Sequence, residues 1–122
     1  MRILLVEDDR DFRPLLAQRF RSIANDVTVI EADSAASAEA ALDTGAFDYV
    51  ISDVAMESRD AGWRVARSAR RRGVSIVLIT ANERSIEFGD RSSTPLIQKM
   101  ELARLDPSEL LTCLSATQGP RP

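Results

Sequence analysis

The chain has 122 residues, a formal net charge of −3 at neutral pH and no histidine. That length fits one ordinary domain whose output is expected from its own surface, the acidic balance argues against direct binding of nucleic acid, and the missing histidine excludes His-ligated metals, Ser/His/Asp or Cys/His catalysis and an internal phosphohistidine. The lone Cys113 rules out an internal disulfide, no apolar run reaches membrane-spanning length, and Met1-Arg2 opens into a strand rather than a signal peptide, so a reducing, cytoplasmic setting with no membrane partner is expected.

Met1 to Val6 is the first apolar run and ends in Glu7-Asp8-Asp9. An amphipathic helix is predicted from about Arg10 to Ala24, where Phe12, Leu15, Leu16, Phe20 and Ile23 recur at helical spacing and Arg19 interrupts them. Pro14 is tolerated in its first turns. Val27 to Ala32 reads as a strand, and Ser34 can cap an alanine-rich helix, Ala35 to Leu42, that stops near Gly45. Asp48 to Ser52 is the third strand; it stops at Asp53, and an irregular stretch from Val54 to Ala61 follows. A helix from about Gly62 to Arg72 carries Trp63, Val65, Ala66 and Ala69, with Arg70-Arg71-Arg72 as its solvated end before Gly73.

Val74 to Ile79 is the fourth strand and finishes in Thr80-Ala81. Asn82 to Thr94 holds only Ile86 and Phe88 as apolar anchors, so at most one helical turn is expected there. Pro95 to Gln98 forms a short fifth strand ahead of Lys99, the sole lysine beside fifteen arginines. Asp106-Pro107-Ser108-Glu109 is a helix start with an acid cap, proline at the first helical position and glutamate at the third. That helix is predicted to reach about Ala116 with Cys113 as a small core residue, and Gln118 to Pro122 reads as a frayed tail.

Near-continuous Val/Ile/Leu runs suit strands buried on both faces of a parallel sheet. Their alternation with helices predicts an α/β, doubly wound, five-stranded parallel sheet in the order 2-1-3-4-5 with helices on both faces. In such sheets ligands bind beyond the carboxyl ends of the strands, at the switch point, here between the first and third. Glu7, Asp8 and Asp53 fall there. Any one of these acids could serve as a helix cap or a loop solubiliser, but strands that end in acid, acid and hydroxyl in one register point to a shared cleft.

Taken in order, Ile3-Leu4-Leu5-Val6-Glu7-Asp8-Asp9, Asp53 after an apolar strand, Thr80-Ala81 and Lys99 near the end of the fifth strand resemble the receiver domain of bacterial two-component response regulators. The resemblance covers essentially the whole chain, as a stand-alone receiver over 1–117 with a tail over 118–122, and it implies the flavodoxin-like receiver fold. It also implies that Asp53 accepts a phosphoryl group from a histidine kinase or phosphotransfer protein in a Mg²⁺-dependent reaction, and that a downstream protein target reads the result. Asp8 would ligate the ion directly and Glu7 largely through water, with Asp53 and the backbone carbonyl of Ala55 in the shell. Thr80 and Lys99 match the residues that contact the phosphoryl group.

On this reading the chain is a phosphoacceptor that promotes its own phosphorylation and dephosphorylation rather than an enzyme. The chemistry agrees: carboxylates a few ångström apart repel by about 4 kcal/mol per close pair at an effective dielectric near 20, and a hard oxygen-ligand cation such as Mg²⁺ relieves that. Phosphoryl transfer is otherwise mostly positioning and charge neutralisation.

Several positions depart from the family pattern. Glu57 replaces the usual proline, the Asp60-Ala61-Gly62 turn is one residue longer, Met100 stands where a proline commonly follows the lysine, and Leu96 occupies the place of the switch aromatic. The stretch between Thr80 and Lys99 is short and resembles a subgroup with a reduced fourth helix and the ending seen here in Pro95-Leu96-Ile97-Gln98-Lys99. Two alternatives stay open. A phosphatase of the haloacid dehalogenase kind also uses a strand-end Asp, but wants a second Asp where this chain has Ala55. A pseudo-receiver would be an interaction module that is never phosphorylated, against which the retention of Glu7, Asp8, Asp53, Thr80 and Lys99 speaks.

Overall fold

Strand β1 (Arg2–Val6) is the centre of construction, with β2 (Thr28–Ala32) on one side and β3 (Tyr49–Asp53) on the other, both parallel to it. Beyond β3 lie β4 (Ser75–Thr80) and the short β5 (Leu96–Gln98), so the sheet has the order β2-β1-β3-β4-β5 that the sequence predicts. The computed structural model describes residues 1–81 and 94–116. The expected single turn between Asn82 and Thr94, and with it the reduced fourth helix, lies outside the described residues apart from Thr94, as does the frayed tail. Among the described residues no helix is long and apolar enough to cross a membrane.

Alternation along each strand sends successive side chains to opposite faces. Leu4, Val6, Val50, Ile76 and Leu78 pack under α2 (Ala35–Thr44) and α3 (Ala61–Arg71), whereas Ile3, Leu5, Ile51, Val77 and Ile79 pack under α1 (Phe12–Arg21) and α5 (Pro107–Ala116). Two apolar layers therefore sandwich the sheet, which is why its strands read as unbroken Val/Ile/Leu runs rather than as alternating patterns. Cys113 joins the second layer as a partly buried residue, close to its expected role.

Helix α1 is shorter at both ends than its apolar periodicity predicts. Asp9, not Asp11, closes the start: its Oδ1 accepts from the backbone of Asp11 and Phe12, both at 2.9 Å. Pro14 then falls in the first turn, where its missing N–H has no partner to lose. Helix α2 runs two residues past the expected end, and Ser34 and Ser37 form a reciprocal capping box at its start. The start of α5 is as predicted: Glu109 N donates to Asp106 Oδ1 at 2.8 Å and Asp106 N to Glu109 Oε1 at 3.1 Å.

One element is not predicted by periodicity. The chain turns from β5 straight into a five-residue helix, α4 (Lys99–Ala103), pinned to the α1/α5 layer by buried Leu102. Lys99 thus follows directly on the end of β5, as expected, and is also the first residue of a helix. The peptide bond that follows it is trans, as are all those among the described residues.

Candidate functional site

The carboxyl ends of β1 and β3 bring Glu7, Asp8 and Asp53 together, with one carboxylate oxygen from each lying within 4.8 Å of the other two. Asp8 faces solvent, Glu7 is fully buried and Asp53 is 6% exposed. Lys99 reaches in from the start of α4 and bridges the two buried acids, with Nζ 2.6 Å from Glu7 Oε1 and 2.9 Å from Asp53 Oδ2. The ammonium also stands 5.4 Å from the centroid of the Phe12 ring, a cation–π contact. Thr80 ends β4 and is buried; its neighbour Ile79 pairs with Asp53, so the hydroxyl lies one residue further along the adjacent strand.

Burial dominates the electrostatics. It pushes the Glu7 carboxyl up to about 7, opposed by the hydrogen bond from Lys99 and reinforced by the charge of Asp53. Burial also works against the charge on Lys99, but its hydrogen bonds to Asp53 and Glu7 outweigh that and hold the ammonium above its ordinary value. Glu7 Oε2 is buried with no hydrogen-bond partner. An unpartnered buried oxygen costs about 1–3 kcal/mol, a cost that a cation or a proton donor beside these carboxylates would relieve. A small hard cation with oxygen ligands fits this donor set, which contains no nitrogen or sulfur ligand.

Local sequence explains how Asp53 is delivered. A Cβ on Gly62 would lie 2.2 Å from the Asp53 carbonyl oxygen and 2.6 Å from Val54 Cα, so only glycine lets α3 begin directly against the end of β3. Gly62 N donates to Val54 O at 2.7 Å and locks that approach. Glu57 leaves the same loop and crosses to α2, where its carboxylate accepts from Ala35 N at 2.8 Å and Ala36 N at 3.4 Å. An acid at a helix N-terminus is favourable on both hydrogen-bonding and dipole grounds. Arg13 donates to Glu7 O at 2.9 Å and ties the β1–α1 turn to the first helix.

The family described as the response regulator receiver domain matches residues 3–91. The chain belongs to that family. No curated protein matches it. Among solved structures, this receiver is similar to the signal receiver domain of the putative response regulator NarL from Mycobacterium tuberculosis, at 22% identity and a TM-score of 0.70, over 98% of this chain and 97% of that one. A response regulator receiver protein from Sinorhizobium medicae is 25% identical with a TM-score of 0.70, over 96% and 93% of the two chains. The receiver domain of the hybrid histidine kinase CckA is 24% identical with a TM-score of 0.69, over 96% and 98%.

Set against the sequence reading of this receiver, Glu7, Asp8, Asp53 and Lys99 meet in one cluster, and Thr80 stands on the neighbouring strand end. Ala55 is exposed on the loop after β3, between the strand and Glu57. Sequence reasoning missed three contributors. Phe12 looks like one more core residue of α1, Gly62 like an ordinary helix start, and Glu57 like a departure from pattern rather than a cap for another helix. The only sequence signal for the last two is their place within ten residues of Asp53.

Proposed function

We propose that this receiver is a phosphoacceptor in two-component signalling, with Asp53 as the residue that accepts a phosphoryl group from a histidine kinase or phosphotransfer protein. The observation that carries this reading is the Lys99 ammonium held between Glu7 and Asp53 at the carboxyl ends of the central strands. A carboxylate oxygen of Asp53 forms the new O–P bond while the donor's P–N bond breaks and its electron pair returns to the imidazole. Residues 1–122 contain no histidine, so the donor histidine lies outside them.

Lys99 supplies a fixed positive charge beside the incoming group, and a point-like ammonium on a flexible stem can leave Glu7 and follow the phosphoryl oxygens. Thr80 offers a hydroxyl donor from the neighbouring strand. Mg²⁺ is the ion we assign to the acid cluster, held by Asp8, Asp53 and the Ala55 carbonyl with Glu7 behind, where it would neutralise phosphate oxygens. Glu7, buried at the floor of the cleft, holds Lys99 through one oxygen and turns its other, unpartnered oxygen to the ion site. Added charge and acceptor oxygens on Asp53 then reorganise contacts from Thr80 onward and alter the surface that a downstream protein reads. The domain has no external substrate and is not an enzyme in that sense; it promotes its own modification.

Incubation with acetyl phosphate and Mg²⁺, followed by intact mass, tests this. One phosphoryl adduct is expected, absent in excess chelator and absent in Asp53→Asn. An adduct of equal yield in that variant would overturn the assignment, and no adduct under any condition would favour an interaction module that is never phosphorylated.

A further inference from the structure

The outward side of α3 carries Arg64, Arg67, Arg70 and Arg71, all exposed. Arg64, Arg67 and Arg71 are spaced three and then four residues apart, so they form one stripe about 10 Å long at 1.5 Å per residue. With Glu39 of α2 these arginines line a shallow pocket of about 570 Å³. Four guanidiniums there meet one carboxylate, in a chain whose net charge is −3.

The single carboxylate is already taken. Glu39 Oε1 accepts from Arg64 Nε at 3.0 Å and Oε2 from Ser68 Oγ at 3.0 Å. Arg70 donates to the neutral Thr94 hydroxyl and Arg71 to Ser68 Oγ at 3.3 Å, while Arg67 has no hydrogen bond or ion pair among the described residues. Elsewhere among the described residues, Arg13 and Arg21 share Glu31, and Arg72 pairs with Asp43. Arg2, Arg10, Arg19, Arg59 and Arg104 also lack an acid among the described residues, but Arg2 and Arg19 donate to the carbonyls of Ala46 and Leu105, and no other described helix carries two arginines four residues apart that both lack one. Two like charges four residues apart disfavour a helix, so α3 carries a cost that its own fold leaves unrelieved.

We propose that this face of α3 is a docking surface for an acidic segment of a partner protein, whose carboxylates pair with Arg64, Arg67 and Arg71. Glu39 shows the pairing in miniature, since a carboxylate already sits against Arg64 in the same pocket. Acids spaced one helical turn apart rise about 6 Å, which matches the step from Arg67 to Arg71. A long nucleic-acid strand would extend past the stripe onto a molecule of opposite preference, with Asp8, Asp9 and Asp11 exposed at the carboxyl end of the sheet. The surface is independent of Asp53 phosphorylation and stands whether or not that reading does.

Fluorescence anisotropy of a fluorescein-labelled octaglutamate peptide, titrated with the full chain at low salt, tests the surface. Saturable binding is expected, weakened about tenfold by Arg67→Glu/Arg71→Glu and suppressed by added salt. Arg67→Ala/Arg71→Ala removes the charges without adding repulsion and is expected to weaken binding by a smaller factor, which keeps the test open if the reversal unfolds the chain. Arg10→Glu/Arg104→Glu, elsewhere on the surface, is expected to leave binding within about twofold of the parent. Absent binding, equal weakening by both double reversals, or tighter binding of an oligothymidylate of the same length through the same arginines would overturn the proposal.

Discussion

The ion pairs at the end of the sheet and those on the helices use the same kinds of group at comparable distances, yet they sit in different solvents. Lys99 meets a fully buried Glu7 at 2.6 Å, whereas Arg13 meets Glu31 at 3.3 Å with the Glu31 side chain 31% exposed. Exposed pairs of the second kind contribute about 0–1 kcal/mol, because water and salt screen them. Removing one partner from a buried pair costs about 3–5 kcal/mol, because the charge left behind has lost its water. The buried cluster is therefore both a liability to the fold and the one place where an incoming ion or phosphoryl group changes energies substantially.

The largest expected effect comes from Lys99→Met, which leaves Glu7 and Asp53 facing each other without a cation. Urea unfolding in chelator is expected to show a loss of about 3 kcal/mol, part of it restored by adding MgCl₂. Parental stability in this variant would place the bridge among the surface pairs.

Next comes the pH dependence of the ion-free protein. Burial raises Glu7 from its ordinary value of 4.5 to about 7, so the fold favours its neutral form. Its contribution is fully present below pH about 4.5 and is lost as pH rises through about 7, by at most roughly 3 kcal/mol. Denaturation midpoints across this window should fall with rising pH in the parent and flatten in Glu7→Gln; an unchanged slope in Glu7→Gln would assign the dependence elsewhere.

A smaller effect is expected at the crossing between loop and helix. Glu57→Ala removes the acceptor that closes the N-terminus of α2 and should cost about 1 kcal/mol in thermal or urea unfolding. Glu57→Gln keeps one acceptor oxygen and should recover part of the loss. Recovery by neither residue, with the parent no more stable than Glu57→Ala, would mean the loop holds itself. The smallest effect belongs to the exposed Asp43–Arg72 pair: Asp43→Asn is expected to change stability by less than about 0.5 kcal/mol, and a larger loss would erase the distinction between the two regions.

Much of this molecule is legible in its sequence. Strand–helix alternation, the strand order and the start of α5 all appear as local patterns, because buried strands must be apolar throughout and helix caps act within four residues. The acids after β1 and β3 were legible for a related reason: carboxyl ends of parallel strands converge, so residues far apart in sequence share one cleft once the topology is known. Less could be seen where a residue's role depends on an unrelated segment. Nothing within four residues of Glu57 reveals that its partners are Ala35 and Ala36, and nothing beside Phe12 shows that its ring lies near Lys99.

The sequence by itself determined the five-stranded α/β architecture, the receiver resemblance and the set of acids, hydroxyl and lysine at the strand ends. These follow from hydrophobic period and residue type, which are properties of short segments. Tertiary structure alone decided that Lys99 begins a helix, that its ammonium spans Glu7 and Asp53, that one oxygen of Glu7 is left without a partner, and that Gly62 must lack a side chain for α3 to touch β3. Those facts depend on how closely separate elements approach and on how much water is excluded between them, and neither distance nor dielectric is written in any single stretch of chain.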